Sequence, residues 1–439
     1  MNNISKSDQI TPKIRSVQIN TLNKKGLGKG QSDTGGTLTV PYTIPGELVE
    51  AERLRRKDAR LLKVIEPSPH RIDPVCQHYG QCGGCVWQHI DYQHQLELKR
   101  ARVAQRFNDA GLPIDEESIQ IESEKDFEYR NRMDFIWWYD GKFGLRQRGK
   151  WYSIVDLHEC HLLPKSVMDI ALQVNQRVQE SGLPFRDGKK KKRGLRYLII
   201  RNGIFTEDIM LSFVSDDMEI PSSLYEGLEN VTSVYQLIND NLENDQSDGR
   251  PIHLWGEKYY REKIGRHIFQ IGPRSFFQPN PAVAVKMVDY VKHITSELKD
   301  KNNLIDLYCG IGLFSITLAD TFDKVLAIEN NPEAIRIAEE NNNNTSIEFS
   351  CMDAEKIEWP NRGEYKTILI DPPRTGLHPQ VIKELRNEPF TDLIYVSCNP
   401  NKGVEDIAEL QEKYQINSVK LFDQFPQTAH VEMIAHLKA

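Results

Sequence analysis

Two hydrophobic periods alternate along the chain. From Lys13 onward, Ile14, Val17, Ile19 and Leu22 interleave with polar residues, and Gly26, Gly28, Gly30 and Gly35-Gly36 punctuate the approach to Thr37-Leu-Thr-Val. Short β-prone runs broken by glycine predict a small barrel or sheet, with a further strand at 47–54 after the Pro45-Gly46 turn. Pro67, Pro69 and Pro74 mark a linker. In 91–112 the apolar positions Tyr92, Leu96, Ala101, Val103, Ala104 and Phe107 fall at helical intervals, and Gly111 supplies a stop. Residues 127–270 read as mixed α/β, with strands at 133–138, 197–201, 209–214 and 233–238. From about Gly272 strand and helix patterns alternate: helix 281–298, strand 303–308, a second helix, strand 324–328, helix 332–341, strands 347–350 and 367–371, helix 379–386, strand 393–397, helix 403–413, and late strands 418–422 and 431–437. Such alternation predicts a largely parallel sheet with helices on both faces.

The fold class is therefore α/β. It combines an OB-like barrel at 1–70, a central α/β domain at 71–270 and a doubly wound domain at 271–439. With 39% hydrophobic and 27% charged residues, the 439-residue chain has the composition of a folded protein rather than a disordered one. The net charge is −7, unevenly spread: 1–70 carry 12 basic and 7 acidic side chains, and 271–439 carry 17 and 25. A polyanionic partner is compatible with that total, because local patches steer association. The crowded cations Arg53, Arg55, Arg56, Lys57, Arg60 and Lys63 read either as a solvated face or as a phosphate-contacting surface. Lys189 to Arg193 is a second basic run, and 239–250 form a polar loop. No apolar run approaches the roughly 18 residues of a membrane span. The N-terminus has no apolar signal core, so a cytoplasmic location and no membrane partner are expected.

The candidate chemistry concentrates at predicted strand ends in the last domain. Asp306-Leu-Tyr-Cys-Gly-Ile-Gly-Leu-Phe314 lies where a strand turns into a helix, and Gly310 and Gly312 allow close backbone approach to a ligand. Ser315 stands where a dinucleotide fingerprint has its third glycine. Glu329 ends the next strand, at a position suited to ribose hydroxyls, and Asp353 follows the third. Three carboxylates at successive strand ends beside G-x-G favour an adenosyl ligand, S-adenosylmethionine over NAD. Asp371-Pro-Pro-Arg374 makes a stiff loop that holds Asp371 forward. Cys398, in Ser-Cys-Asn-Pro, ends the fifth strand before a helix whose dipole is expected to lower its thiol pKa. Period two puts His430 and Glu432 on one strand face, with Glu432 a candidate base. These parts fit methylation at carbon 5 of uracil: a thiolate adds at carbon 6, carbon 5 takes the methyl group, and a base removes the carbon-5 proton so that the thiol leaves. The target base must leave its stack to reach such a pocket.

Seven cysteines at irregular spacing do not make a disulfide scaffold. Cys76, Cys82 and Cys85 form a tight trio around Gly83-Gly84, with Cys160 some 75 residues later. Four thiolates suit an iron–sulfur cluster or a structural zinc, and spacing alone does not choose between them.

Taken together, these residues resemble the bacterial RNA uracil-C5 methyltransferases, most closely their 23S rRNA branch, over nearly the whole chain. The resemblance implies a TRAM domain at the N-terminus, a 4Fe–4S cluster on Cys76, Cys82, Cys85 and Cys160, nucleophile Cys398 and base Glu432. Ser275-Phe-Phe-Gln278 is similar to the segment whose glutamine binds the methyl donor. Tyr308, Gly310, Gly312, Leu313, Glu329, Asp353 and Asp371 fall on the remaining donor positions. Leu313 replaces a common asparagine, which keeps a backbone contact and loses a side-chain one; Tyr308 replaces a common phenylalanine. The expectation is a monomeric 23S rRNA methyltransferase. The same chemistry on a tRNA T-loop uridine is the alternative. An RNA-binding iron–sulfur module without catalysis and a nicotinamide oxidoreductase are the rivals from other classes.

Overall fold

The computed structural model describes residues 14–187, 190, 192–241, 246–357, 359 and 363–439. Lys189 and Lys191 of the basic run and 242–245 of the polar loop lie outside them. The chain divides into two compact units. One runs to Gln95 and takes in Gln427–Ala429; the other comprises Leu96–Pro426 and His430–Ala439.

In the first unit, β1 (Ile14–Leu22), β2 (Gly28–Ser32), β3 (Thr37–Val40), β4 (Leu48–Arg55) and β5 (Asp58–Glu66) close into a barrel in the order β1-β2-β3-β5-β4. Alternate residues Val17, Ile19, Leu38, Val40, Val49, Ala51 and Ala59 fill it. Gly30 has no substitute: a Cβ there would collide with the Gln18 carbonyl of β1. The cation-rich stretch after Arg53 forms the end of β4 and the turn and start of β5, with its Arg and Lys side chains mostly exposed. A loop follows, carrying the cysteine trio. Trp87 is buried in this unit and donates its indole N–H to the Gly26 carbonyl at 2.8 Å.

Helix α1 (Tyr92–Asp109) continues into the second unit, which adds β6 (Gln120–Glu122), β7 (Arg132–Trp137), β8 (Phe143–Gln147), β9 (Lys150–Asp156), α2 (Lys165–Ser181), β10 (Leu195–Asn202), β11 (Ile209–Ser215), β12 (Val231–Ile238) and β13 (Arg250–Gly256). Seven of these strands form one sheet, ordered β13-β12-β11-β10-β7-β8-β9. The hairpin β14 (Tyr260–Ile264) and β15 (His267–Ile271) then leads to α3 (Pro281–Ser296).

The last part is built from β16 (Asn303–Leu307), α4 (Leu313–Leu318), β17 (Lys324–Glu329), α5 (Pro332–Asn341), β18 (Ile347–Cys351), β19 (Thr367–Ile370), α6 (Pro379–Asn387), β20 (Asp392–Ser397), α7 (Pro400–Leu410), β21 (Gln415–Phe422) and β22 (Glu432–Lys438). The sheet order is β18-β17-β16-β19-β20-β22-β21-β6; the first five strands are parallel, and β22 is antiparallel to β20. Neighbouring residues on each strand feed opposite layers. Leu304, Ala327, Leu369 and Ile394 pack with α3, α4 and α5. Ile305, Ile328, Ile370 and Leu393 pack with α6, α7 and Val103, Ala104 and Phe107 of α1. Each buried leucine or isoleucine among them contributes about 1.5–3 kcal/mol. Chain order reverses between β16 and β19, which opens a crevice at the carboxyl ends of the strands.

Candidate active site

The candidates from Tyr308 to Glu432 lie at or just beyond strand ends on that side of the sheet, whereas Gln278 precedes α3. Tyr308 to Gly312 turn from β16 into α4, and Tyr308, Gly310 and Gly312 all have positive φ, at 67°, 56° and 87°. A Cβ on Gly312 would come within 2.9 Å of Ile316, so the close turn requires glycine there. The amides of Tyr308 and Cys309 both donate to the Ile328 carbonyl of β17, at 2.9 and 3.0 Å. Glu329, the last residue of β17, accepts from the Gly310 amide at 3.2 Å with one oxygen, and from the Asn330 and Asn331 amides at 2.9 and 3.0 Å with the other. Beneath the turn, Asp306 accepts from Ser315, and its second oxygen is buried with no hydrogen-bond partner. Burial pushes its carboxyl up to about 6. A small open cleft of about 100 Å³ lies here, lined by Arg274, Phe276, Gly310, Ile311, Glu329 and Asn331 among others.

The other donor candidates have different surroundings and do not line this cleft. Asp353 follows β18 and is bound by Lys356 at 2.6 Å, which holds its carboxyl below the ordinary range. Gln278 is buried in the segment before α3, its carbonyl accepting from Asn131 Nδ2 at 2.9 Å. Leu313 opens α4 and packs in the core.

Beyond the switch point, Asp371 follows β19 and Cys398 follows β20. In the antiparallel pairing of β20 with β22, Ser397 is opposite Met433. The next residue outward on one strand is Cys398 and on the other Glu432, so register alone sets thiol and carboxyl against each other. Glu432 is only 2% exposed, whereas Cys398 is half-buried. Burial, Glu432 and Asp371 together push the Cys398 thiol up to about 12, and the Arg374 guanidinium opposes them. Burial and the Asp371 charge likewise raise Glu432, and burial raises Asp371. The expected lowering of the thiol by the α7 dipole is thus outweighed, because desolvation and two nearby carboxyls disfavour the thiolate more than one helix end favours it. His430 does not share a strand face with Glu432. It precedes β22, is exposed, and faces Arg374 Nη2 through Nδ1 at 3.4 Å.

Two positioning features were not legible in the sequence. Asp406 of α7 accepts from the Leu377 amide at 2.8 Å and the Tyr395 hydroxyl at 2.6 Å, and pairs with Lys402 at 2.8 Å. It thereby ties the Asp371–Arg374 loop to the helix behind Cys398. Lys99 of α1, fully buried, donates to Asp423 at 2.6 Å and to the Phe425 carbonyl at 3.2 Å, anchoring the segment that leads to β22. Only the neighbouring Arg374, beside the two prolines, carried a visible signal.

Cys76, Cys82 and Cys85 lie on the first unit's loop, where the Gly84 amide donates to Cys82 Sγ at 3.4 Å, and Cys160 belongs to the second unit. Among the described residues no group of three or more His, Cys, Asp or Glu side chains is gathered as metal ligands. Burial pushes the Cys82 thiol up, and the Gly84 amide opposes that shift.

Comparison with known proteins bears on these features. Residues 262–439 match the family model described as tRNA (Uracil-5-)-methyltransferase. The tRNA (uracil(54)-C(5))-methyltransferases of Pyrococcus abyssi and Pyrococcus horikoshii are 34% and 35% identical, over 95% and 94% of this chain and 99% of each relative. A Thermotoga maritima protein described as an uncharacterized RNA methyltransferase is 29% identical over 95% of the chain and 98% of its own length. The crystal structure of the Pyrococcus abyssi enzyme in complex with S-adenosyl-L-homocysteine superposes with a TM-score of 0.81 at 31% identity, covering 96% of this chain and 99% of that one.

Proposed function

The chain belongs to the tRNA (uracil-5-)-methyltransferase family, and from that premise we propose that it methylates carbon 5 of a uridine in tRNA, position 54 as in its named relatives. The observation that carries the reading is the register of β20 and β22, which sets Cys398 against Glu432 beside Asp371. The 23S rRNA expectation gives way. It leaned on the N-terminal barrel and the cysteines, whereas relatives named as tRNA enzymes match this chain over 95% and 94% of its length, which supports the tRNA reading.

The methyl donor, S-adenosylmethionine, supplies an electrophilic methyl group. The residues suited to hold it are Gln278, Tyr308, Gly310, Gly312, Leu313, Glu329, Asp353 and Asp371; the partnerless buried oxygen of Asp306 beneath the glycine turn supports a polar ligand there. Cys398 gives up its proton to solvent and adds as the thiolate to carbon 6 of an extruded uracil, leaving an enolate whose carbon 5 takes the methyl group while the demethylated thioether of the donor departs. Once carbon 5 carries the methyl group, Glu432 takes its proton, and the carbon–sulfur bond breaks to restore the ring and release the thiolate. The raised carboxyl of Glu432 makes it a strong base once ionised, and Arg374 favours that ionisation. Burial excludes water from the same space.

Labelled methyl donor offered with tRNA and 23S rRNA transcripts, followed by mass mapping of 5-methyluridine, tests the substrate. Label in tRNA is the expected result; label confined to 23S rRNA reverses the assignment. A finer reading, that Cys76, Cys82, Cys85 and Cys160 hold an iron–sulfur cluster, rests on spacing and resemblance alone and enters no step. Iron and sulfide analysis of anaerobically purified protein tests it, and a value near zero ends it.

A further inference from the structure

We propose that the β8–β9 hairpin of the central sheet is a stacking platform for unpaired bases of the substrate RNA, with Trp151 and Tyr152 as its contact residues; the inference rests on the reading of the protein as an RNA methyltransferase. Strand β9 is the outer strand of its sheet. Trp151 is 74% exposed and Tyr152 54%. Tryptophan is on average a highly buried residue, and an aromatic cluster on a sheet edge invites aggregation unless a partner covers it.

The rings are held rather than loose. Trp151 and Tyr152 meet edge to face with centroids 5.8 Å apart. The Arg146 guanidinium donates to the Trp151 carbonyl and, at 3.4 Å, to the Tyr197 hydroxyl, which fixes the strand backbone beneath them. Gln147 pairs with Lys150, so Arg148 and Gly149 form the tip, with Gly149 at φ 72°. Pre-ordered aromatic surface loses little entropy when a base stacks on it.

Charge selects the partner. Residues 138–152 contain four cations and one carboxylate, Asp140, which Lys142 already pairs at 2.7 Å. Arg148 and Lys150 flank the rings with positive charge. Cations attract a phosphate backbone, aromatics attract base faces, and base faces are available only where the strand is unpaired. A protein strand adding to the β9 edge is disfavoured by the same cations. The hairpin therefore fits a loop of the RNA rather than a duplex stem or a protein strand.

The test compares the full-length protein with W151A/Y152A and W151F/Y152F. The alanine pair is expected to bind a tRNA transcript about tenfold more weakly, with a matching rise in KM for RNA, unchanged kcat at saturating RNA and unchanged KM for the methyl donor. The phenylalanine pair retains binding within about twofold, because any aromatic face stacks. Wild-type affinity in the alanine pair overturns the inference, as does loss of kcat alone. A dimer of the wild type that the alanine pair dissolves, with RNA affinity intact, overturns it too and makes the edge a self-association surface. RNA affinity that depends on the aromatics without any methyl transfer by the wild type leaves this inference standing and removes the proposed function instead.

Discussion

Two atoms define the proposed reaction, the sulfur of Cys398 and a carboxyl oxygen of Glu432. Cys398→Ala is expected to abolish methyl transfer while leaving donor-product binding by calorimetry intact, since the donor cleft is built from other strand ends. Glu432→Gln is expected to keep the addition step and block proton removal. It should accumulate an RNA–protein adduct visible as a slower band on a denaturing gel; absence of both band and product would falsify its role as base. The pKa direction makes a second demand on Glu432. Its folded value lies above the unfolded one of about 4.3, so the native state binds more protons than the unfolded state through that window. Stability from this group is present below the unfolded value and declines as pH rises toward the folded one. The melting temperature of Glu432→Gln should therefore exceed wild type more at pH 8 than at pH 4, and an equal gap at both would contradict the buried, raised carboxyl.

At the level of elements, the site depends on how α7 and the loop after β19 are joined. Asp406 is fully buried and satisfies Leu377 and Tyr395 at once. Replacing it with alanine strands an amide and a hydroxyl, at about 1–3 kcal/mol each when buried. Asp406→Ala should lower the denaturation midpoint and also kcat, because the Asp371–Arg374 loop loses its tether; a stability loss with kcat unchanged would make Asp406 purely structural. The helix patterns and parallel strands of this domain are plain in the sequence because each buried strand reads as an apolar run, as in Thr367–Ile370. The β8–β9 hairpin and β5 were not, since their residues are exposed or basic and show no apolar period.

Across the second unit, one buried ion pair links distant parts of the chain. Lys99 and Asp423 are both fully buried, and α1 thereby holds the connection from β21 to β22. Lys99→Met leaves Asp423 uncompensated and is expected to cost about 3–5 kcal/mol by chemical denaturation. The double variant Lys99→Met with Asp423→Leu should recover much of that loss; a strictly additive double variant would mean that the pair is not coupled. The strand β6, which adds to the far edge of the last sheet beside β21, joins the same set of long-range contacts.

The order of strands and helices, the glycine turn at Gly310 and Gly312, and the succession of polar residues at strand ends follow from local sequence, because backbone sterics and hydrophobic period act over a few residues. What the tertiary structure alone decided is which of those ends meet. The pairing of Ser397 with Met433 sets Cys398 against Glu432, and burial reverses the expected direction of the thiol pKa. Register, desolvation and long-range charge depend on residues far apart in the chain, and no local pattern encodes them.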